Sequence, residues 1–116
     1  MRIEKKNRIF KVGKNKVRIK HVANLYLKND ECVTIKVGKD KEYDIVKKNW
    51  GFYSTPSLNK RLIKYGFAPV IVYNPNFKTY FMQIVEKNKK KNFLKYLKSE
   101  GMKIVKWLNK KELLKL

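Results

Sequence analysis

Apolar and polar residues alternate along much of the first 46 positions, and alternating side chains point to opposite faces of a strand. Arg8-Ile9-Phe10-Lys11-Val12 and Lys16-Val17-Arg18-Ile19-Lys20-His21 flank Gly13-Lys14-Asn15, which predicts a hairpin. The second run continues to Leu27 and sets Val17, Ile19, Ala23, Leu25 and Leu27 on one face, expected to point into the core. Asn29-Asp30 marks a turn, after which Cys32-Val33-Thr34-Ile35-Lys36-Val37 returns with Val33, Ile35 and Val37 inward. Gly38-Lys39-Asp40 is the next turn and Glu42-Tyr43-Asp44-Ile45-Val46 a fourth short strand, so this half reads as an antiparallel meander.

The period lengthens after residue 54. Thr55 as N-cap and Pro56 at the first helical position predict a helix that Gly66 closes, with Leu58, Leu62 and Tyr65 as its apolar stripe and Asn59, Lys60 and Lys64 outward. Pro69-Val70-Ile71-Val72-Tyr73 and Phe77 to Val85 read as two strands joined by Asn74-Pro75-Asn76. Phe93, Leu94 and Leu97 are spaced for a second helix over 88–100, stopped by Gly101. Met102 to Leu108 reads as a strand, with a further helical turn as the alternative, and residues 110–116 as a short helix or a frayed tail. The pattern predicts an α+β fold: an antiparallel sheet of five to seven strands with the two helices packed on one face.

A chain of 116 residues is long enough for one core, and a single domain over residues 1–116 is expected. No apolar run of the roughly 18 residues a membrane helix needs is present, and the N-terminal stretch lacks the apolar core of a signal peptide, so a cytoplasmic protein is expected. Cys32 has no second cysteine to pair with. No His, Cys or carboxylate cluster has metal-ligand spacing, and neither metal nor cofactor is expected.

The net charge of +21 points toward nucleic acid or another polyanion. Its make-up tempers that reading: 26 lysines stand against four arginines, beside eleven asparagines, a bias that an AT-rich coding sequence produces without selection for binding. Arginine's planar fork suits phosphates and base edges better than lysine's point charge does.

The segment from Asn49 to Arg61 holds three aromatics, a glycine, a helix-start signal and one of the four arginines. One reading makes Trp50, Phe52 and Tyr53 a plug between sheet and helix, with Gly51 allowing a bend. The other makes an anion pocket: free helix-start N–H groups, the Thr55 and Ser57 hydroxyls, and Lys60 and Arg61 one turn on, with Trp50 or Tyr53 stacking on a base or sugar. The glycine spacing of a phosphate loop is missing. In the second helix, Lys90, Lys91, Lys95 and Lys98 form either a solvated face or a phosphate-contacting one.

His21 reads as an ordinary strand residue, and its pairing with Cys32 as nucleophile and base as a remote alternative, so the chain is read as non-enzymatic. Asp40, Glu42 and Asp44 alternate along one strand face and are expected to neutralise nearby lysines.

Trp50 to Leu62, Phe93-Leu94-Lys95-Tyr96-Leu97 and Ile104-Val105-Lys106-Trp107-Leu108 resemble a family of small uncharacterised bacterial proteins. Some members of that family are encoded among genes for surface-polysaccharide or acidic nine-carbon sugar synthesis. The resemblance implies an accessory protein binding a sugar-nucleotide or small anion. The residues themselves favour a binding module for an anionic ligand, nucleic acid first. A protein-interaction subunit without a ligand, and a homo-oligomer, stay open.

Overall fold

A computed structural model of the chain describes residues 1–109. Its eight strands form three antiparallel sheets. The first pairs β1 (Arg2–Val12) with β2 (Val17–Tyr26). The second has the order β3-β4-β5, from β3 (Cys32–Val37), β4 (Lys41–Lys48) and β5 (Gly51–Thr55). The third has β6 (Phe67–Asn74) between β7 (Thr79–Glu86) and β8 (Lys103–Trp107). The described residues also form two α-helices: α1 (Arg61–Lys64), and α2 (Lys90–Glu100) entered through a 3-10 turn at Lys87–Lys89. The α+β class therefore holds in its coarse form, while the single sheet of five to seven strands does not.

Two local choices divide the expected sheet. The Asp30 amide donates to the Lys47 carbonyl at 2.7 Å and the Lys47 amide to the Glu31 carbonyl at 3.0 Å, so the chain entering β3 is zipped to β4 and β2 gains no neighbour. In the third sheet both edges of β6 are taken, by β7 and β8, which leaves it no edge for β5 to join. Expected turns fare better: Gly13 adopts φ +77° and accepts the Lys16 amide at 3.2 Å, and Asn74 Oδ1 accepts the Asn76 amide at 3.0 Å. The segment Lys103–Trp107 is a strand, as expected, and Lys110 to Leu116 lie outside the described residues.

The core lies in the third sheet. Val70 and Val72 of β6, Val85 of β7 and Leu97 of α2 are buried together, with Phe93, Met102 and Trp107 against them. Phe93 meets Trp107 edge to face at 6.1 Å. Leu62, Pro56, Phe67 and Pro69 are buried as well. The helix over 88–100 ends as its sequence signals: Gly101 sits at φ +70°, its amide donates to the Lys98 carbonyl at 3.2 Å, and the Met102 amide donates to Leu97 at 2.9 Å. By contrast Val17, Ile19, Leu25, Ile35 and Val37, expected to face the core, are exposed.

Polar clasps hold the sheets to one another. Lys41 of β4 reaches Glu86 of β7 at 2.9 Å, and the N-terminal ammonium reaches Glu31 at 3.0 Å. The Lys41 ammonium holds the Glu86 carboxyl below its ordinary value of 4.5. The Lys28 amide, then the N-terminal ammonium, does the same for Glu31. A carboxyl lowered on folding stabilises above its unfolded value and loses that contribution as pH falls through the folded one. The melting temperature should therefore hold steady from pH 7 down to about 4.5 and fall below it, and Lys41→Met should flatten that fall, as followed by circular dichroism. For the core, Leu97→Ala should cost about 2–5 kcal/mol in urea unfolding. The neighbouring exposed Leu94→Ala should cost no more than about 1 kcal/mol.

Candidate functional site

The helix-start pocket expected at Thr55 is not built. Thr55 is the last residue of β5, paired with Asp44, and its hydroxyl donates to Asp44 Oδ2 at 3.3 Å. The Thr55–Pro56 peptide is cis and Pro56 is buried. The helix begins only at Arg61, where Ser57 Oγ accepts the Arg61 amide at 3.2 Å and the Ser57 carbonyl accepts the Leu62 amide at 3.1 Å. A helix of four residues offers no array of free N–H groups to an anion, and the Ser57 hydroxyl is spent on the chain itself. Lys60 and Arg61 lie exposed on this turn.

Trp50, Phe52 and Tyr53 do not plug the core either. Trp50, in the turn between β4 and β5, is 68% exposed and lies 6.3 Å from Tyr53 with the rings nearly parallel. Phe52 is also exposed, 5.8 Å beneath the Lys47 ammonium. Flat rings left in water are able to stack on another ring, but of the partners expected beside them Thr55 and Ser57 are engaged within the chain, while Lys60 and Arg61 are exposed.

On α2, Lys91, Lys95 and Lys98 follow one another at helical spacing and are exposed, as expected. Lys90 leaves that row, its ammonium 5.2 Å over the Trp107 ring. His21 is an ordinary strand residue: Nε2 donates to the Ala23 carbonyl at 3.0 Å and Nδ1 lies 3.5 Å from Arg8. Cys32 belongs to a different sheet. Of the three alternating acids, Asp40 falls in the turn before β4, while Asp44 accepts from Thr34 at 2.6 Å and from Thr55. Among the described residues no three His, Cys, Asp or Glu side chains gather to hold a metal.

A sizeable concavity lies elsewhere, where the tip of the β1–β2 hairpin meets the C-terminal end of α2. Glu100, only 6% exposed, accepts the Lys14 amide at 2.6 Å, and Asn15 donates to Ser99. A carboxylate at a helix C-terminus opposes the helix dipole, so this acid is held by the hairpin amide rather than by its own helix. Gly13 makes the approach feasible: a Cβ there would sit 2.6 Å from Glu100 Oε1. Docking the tip encloses a cleft of about 850 Å³, within the size range of ligand sites. Lys11, Lys14 and Lys16 line one side, and Asn74, Asn76 and Phe77 of the β6–β7 turn line the other, with Tyr96 of α2. Phe77 is 76% exposed.

Sequence reading missed this cleft, because its two walls are more than 50 residues apart. The signals were local and separate: three lysines around a glycine turn, and an Asn-Pro-Asn-Phe turn whose aromatic no strand face requires.

No helix among the described residues is long and apolar enough to cross a membrane. No family model matches the chain, and neither curated proteins nor solved structures yield a significant match.

Gly13→Ala tests the docking directly. The steric conflict and the positive φ together should cost about 1–3 kcal/mol. They should also move the Lys14 and Asn15 amide resonances toward random-coil positions while leaving Val70 and Val72 unchanged in a two-dimensional NMR spectrum.

Proposed function

We propose that the chain is a non-enzymatic binding module for an anionic ligand, with single-stranded nucleic acid as the ligand class and the cleft at the hairpin tip as its seat. The observation that carries this reading is the union of three lysines with two solvent-facing aromatic rings, Phe77 and Tyr96, around one concavity. Cations that track a phosphate backbone, next to rings on which bases stack, are what sequence-tolerant single-strand binding requires.

The acids do little to quench the surface. Glu4, Asp30 and Glu86 are already committed to lysines, Glu31 to the N-terminus and Asp44 to threonines. Lys11, Lys14 and Lys16 form no ion pair among the described residues. Two of the four arginines are stacked on rings, Arg2 over Tyr26 at 3.9 Å and Arg8 over Phe10 at 4.7 Å. Lysine-led recognition supplies affinity without base discrimination, so weak sequence preference goes with this reading. The row of Lys91, Lys95 and Lys98, and the ring pair Trp50 and Tyr53, are further surfaces along which a longer strand would run.

Fluorescence anisotropy with a short mixed-sequence single strand tests the assignment. Three neutralised phosphates give a salt slope of about −2, so affinity should fall about 20-fold between 50 and 200 mM salt. Replacing Lys11, Lys14 and Lys16 by Gln should remove most of that slope, and Phe77→Ala should weaken binding by about 1–3 kcal/mol. Lys60→Ala with Arg61→Ala should change little. Affinity unaltered by the triple replacement would overturn the seat, and absence of binding at 50 mM salt would overturn the function.

A further inference from the structure

The third sheet packs α2 against one of its faces, the one that carries Val70, Val72 and Val85. Register sends the pairs Ile71–Met82 and Tyr73–Tyr80 to the other face, because directly paired residues share a face and neighbours along a strand do not. Across β6, Lys106 pairs with Ile71 and Lys103 with Tyr73. Two rows result, Met82-Ile71-Lys106 and Tyr80-Tyr73-Lys103, each ending in a lysine on the edge strand β8.

The two ends of this face differ. At one end Phe67 and Pro69 are buried, and Glu86, the residue paired with Phe67, holds Lys41 of β4 at 2.9 Å. At the other end, next to the β6–β7 turn, Tyr80 is 66% and Met82 47% exposed, and Lys103 and Lys106 are exposed beside them. The Tyr73 and Tyr80 rings lie 4.7 Å apart, tilted by 42°. The described chain leaves the sheet at the covered end: the Leu108 amide donates to the Pro69 carbonyl at 2.9 Å, about 13 Å along β6 from the Tyr73 row.

Charge selects the occupant. Lys103 and Lys106 form no ion pair among the described residues, and the acid on this face, Glu86, is already committed to Lys41 at the covered end. Neighbouring strands lie about 4.8 Å apart, so Lys103 stands about 10 Å from Tyr80 across the sheet. Rings with uncommitted cations along one edge fit a partner built of flat apolar faces joined by negative charges, and an uncharged apolar partner would leave the cations unused.

We infer that the open end of this face is a second subsite for single-stranded nucleic acid, one base stacking on Tyr80 with Tyr73 behind it while Lys103 and Lys106 meet the adjoining phosphates. The inference rests on the reading of the hairpin-tip cleft as a nucleic-acid seat and extends it. Phe77, which lines that cleft, lies in the turn joining β6 to β7, three residues before Tyr80. A strand that leaves the cleft over Phe77 therefore meets Tyr80 next, and the two seats are filled by one ligand.

The tyrosine ring protons of the full chain, followed by NMR at 50 mM salt as a twelve-nucleotide mixed-sequence single strand is added, test the subsite. Tyr80 should shift upfield. Tyr80→Leu, which keeps bulk at an exposed position, should weaken binding about 5- to 100-fold and leave the Val70 and Val72 amides in place. Lys103→Gln with Lys106→Gln should lower the salt slope by about 1.4. In the free chain a dissolved neutral relaxation agent should broaden the Tyr80 ring; a ring already shielded, by a second copy or by this chain, would overturn the subsite. Binding that responds to replacement of Lys11, Lys14 and Lys16 but leaves Tyr80 unshifted and is indifferent to Tyr80→Leu would overturn the subsite and spare the cleft. A Tyr80 response with no effect of the three replacements would overturn the cleft as the seat, and with it the shared ligand path. Absence of binding by the unmodified chain would overturn both.

Discussion

The contact between the Lys14 amide and the buried Glu100 carboxylate, joined by Asn15 on Ser99 and by the N-terminal ammonium on Glu31, sets where the β1–β2 hairpin sits. The tightly buried side chains belong to the third sheet, α2 and the turn around α1, and the hairpin of β1 and β2 contributes none of them. What the hairpin has instead is a hydrogen bond from the Lys14 amide to the Glu100 carboxylate, a second from Asn15 to Ser99, and the N-terminal ammonium on Glu31. The Glu100 contact depends on a glycine with positive φ, because any side chain at Gly13 would meet the carboxylate first. Lys11, Lys14 and Lys16 face Phe77 and Tyr96 across one cleft only while the tip stays docked. Fold and candidate site therefore share the same few polar fastenings.

The same fastenings place like charges close together. Three lysines around a tight turn repel one another, and one buried carboxylate offsets part of that repulsion. An anion in the cleft would offset the remainder, which ties ligand binding to the docking of the tip without any moving part. A hairpin held by so few contacts would be ordered further by whatever neutralises its lysines, and stability would rise with ligand by mass action. Where Arg2 and Arg8 lie over aromatic rings, their forks are turned to stacking, and on the proposed reading contact with a ligand would fall to lysines, point charges that suit backbone rather than base.

Local chemistry was legible in the sequence wherever one element carried both of its own boundaries. The second helix announced its apolar spacing and its glycine stop, and the two turns at Gly13 and Asn74 announced their residues. Thr55-Pro56 misled because a threonine before a proline is as acceptable at the end of a strand as at the start of a helix, and the choice was made by Asp44, eleven residues upstream, which takes both its backbone pairing and its hydroxyl. Trp50, Phe52 and Tyr53 misled for a related reason: hydrophobic size predicts burial on average, yet these rings, on β5 and in the turn before it, stay exposed among the described residues. The cleft was illegible because no residue in it is informative alone. Only docking joins Lys14 to Phe77.

The alternation in the first 26 residues was read correctly as a period and incorrectly as an address. A period of two states which side chains share a face and whether that face is apolar; it does not state which surface will cover it. The meander reading supplied a cover from within the chain by extending one sheet across all the strands. That cover vanished once the chain after Asp30 zipped to β4. An apolar face that the pattern writes and the topology leaves bare is a constraint in its own right, since a hairpin with both faces in water would spend its hydrophobic residues on nothing.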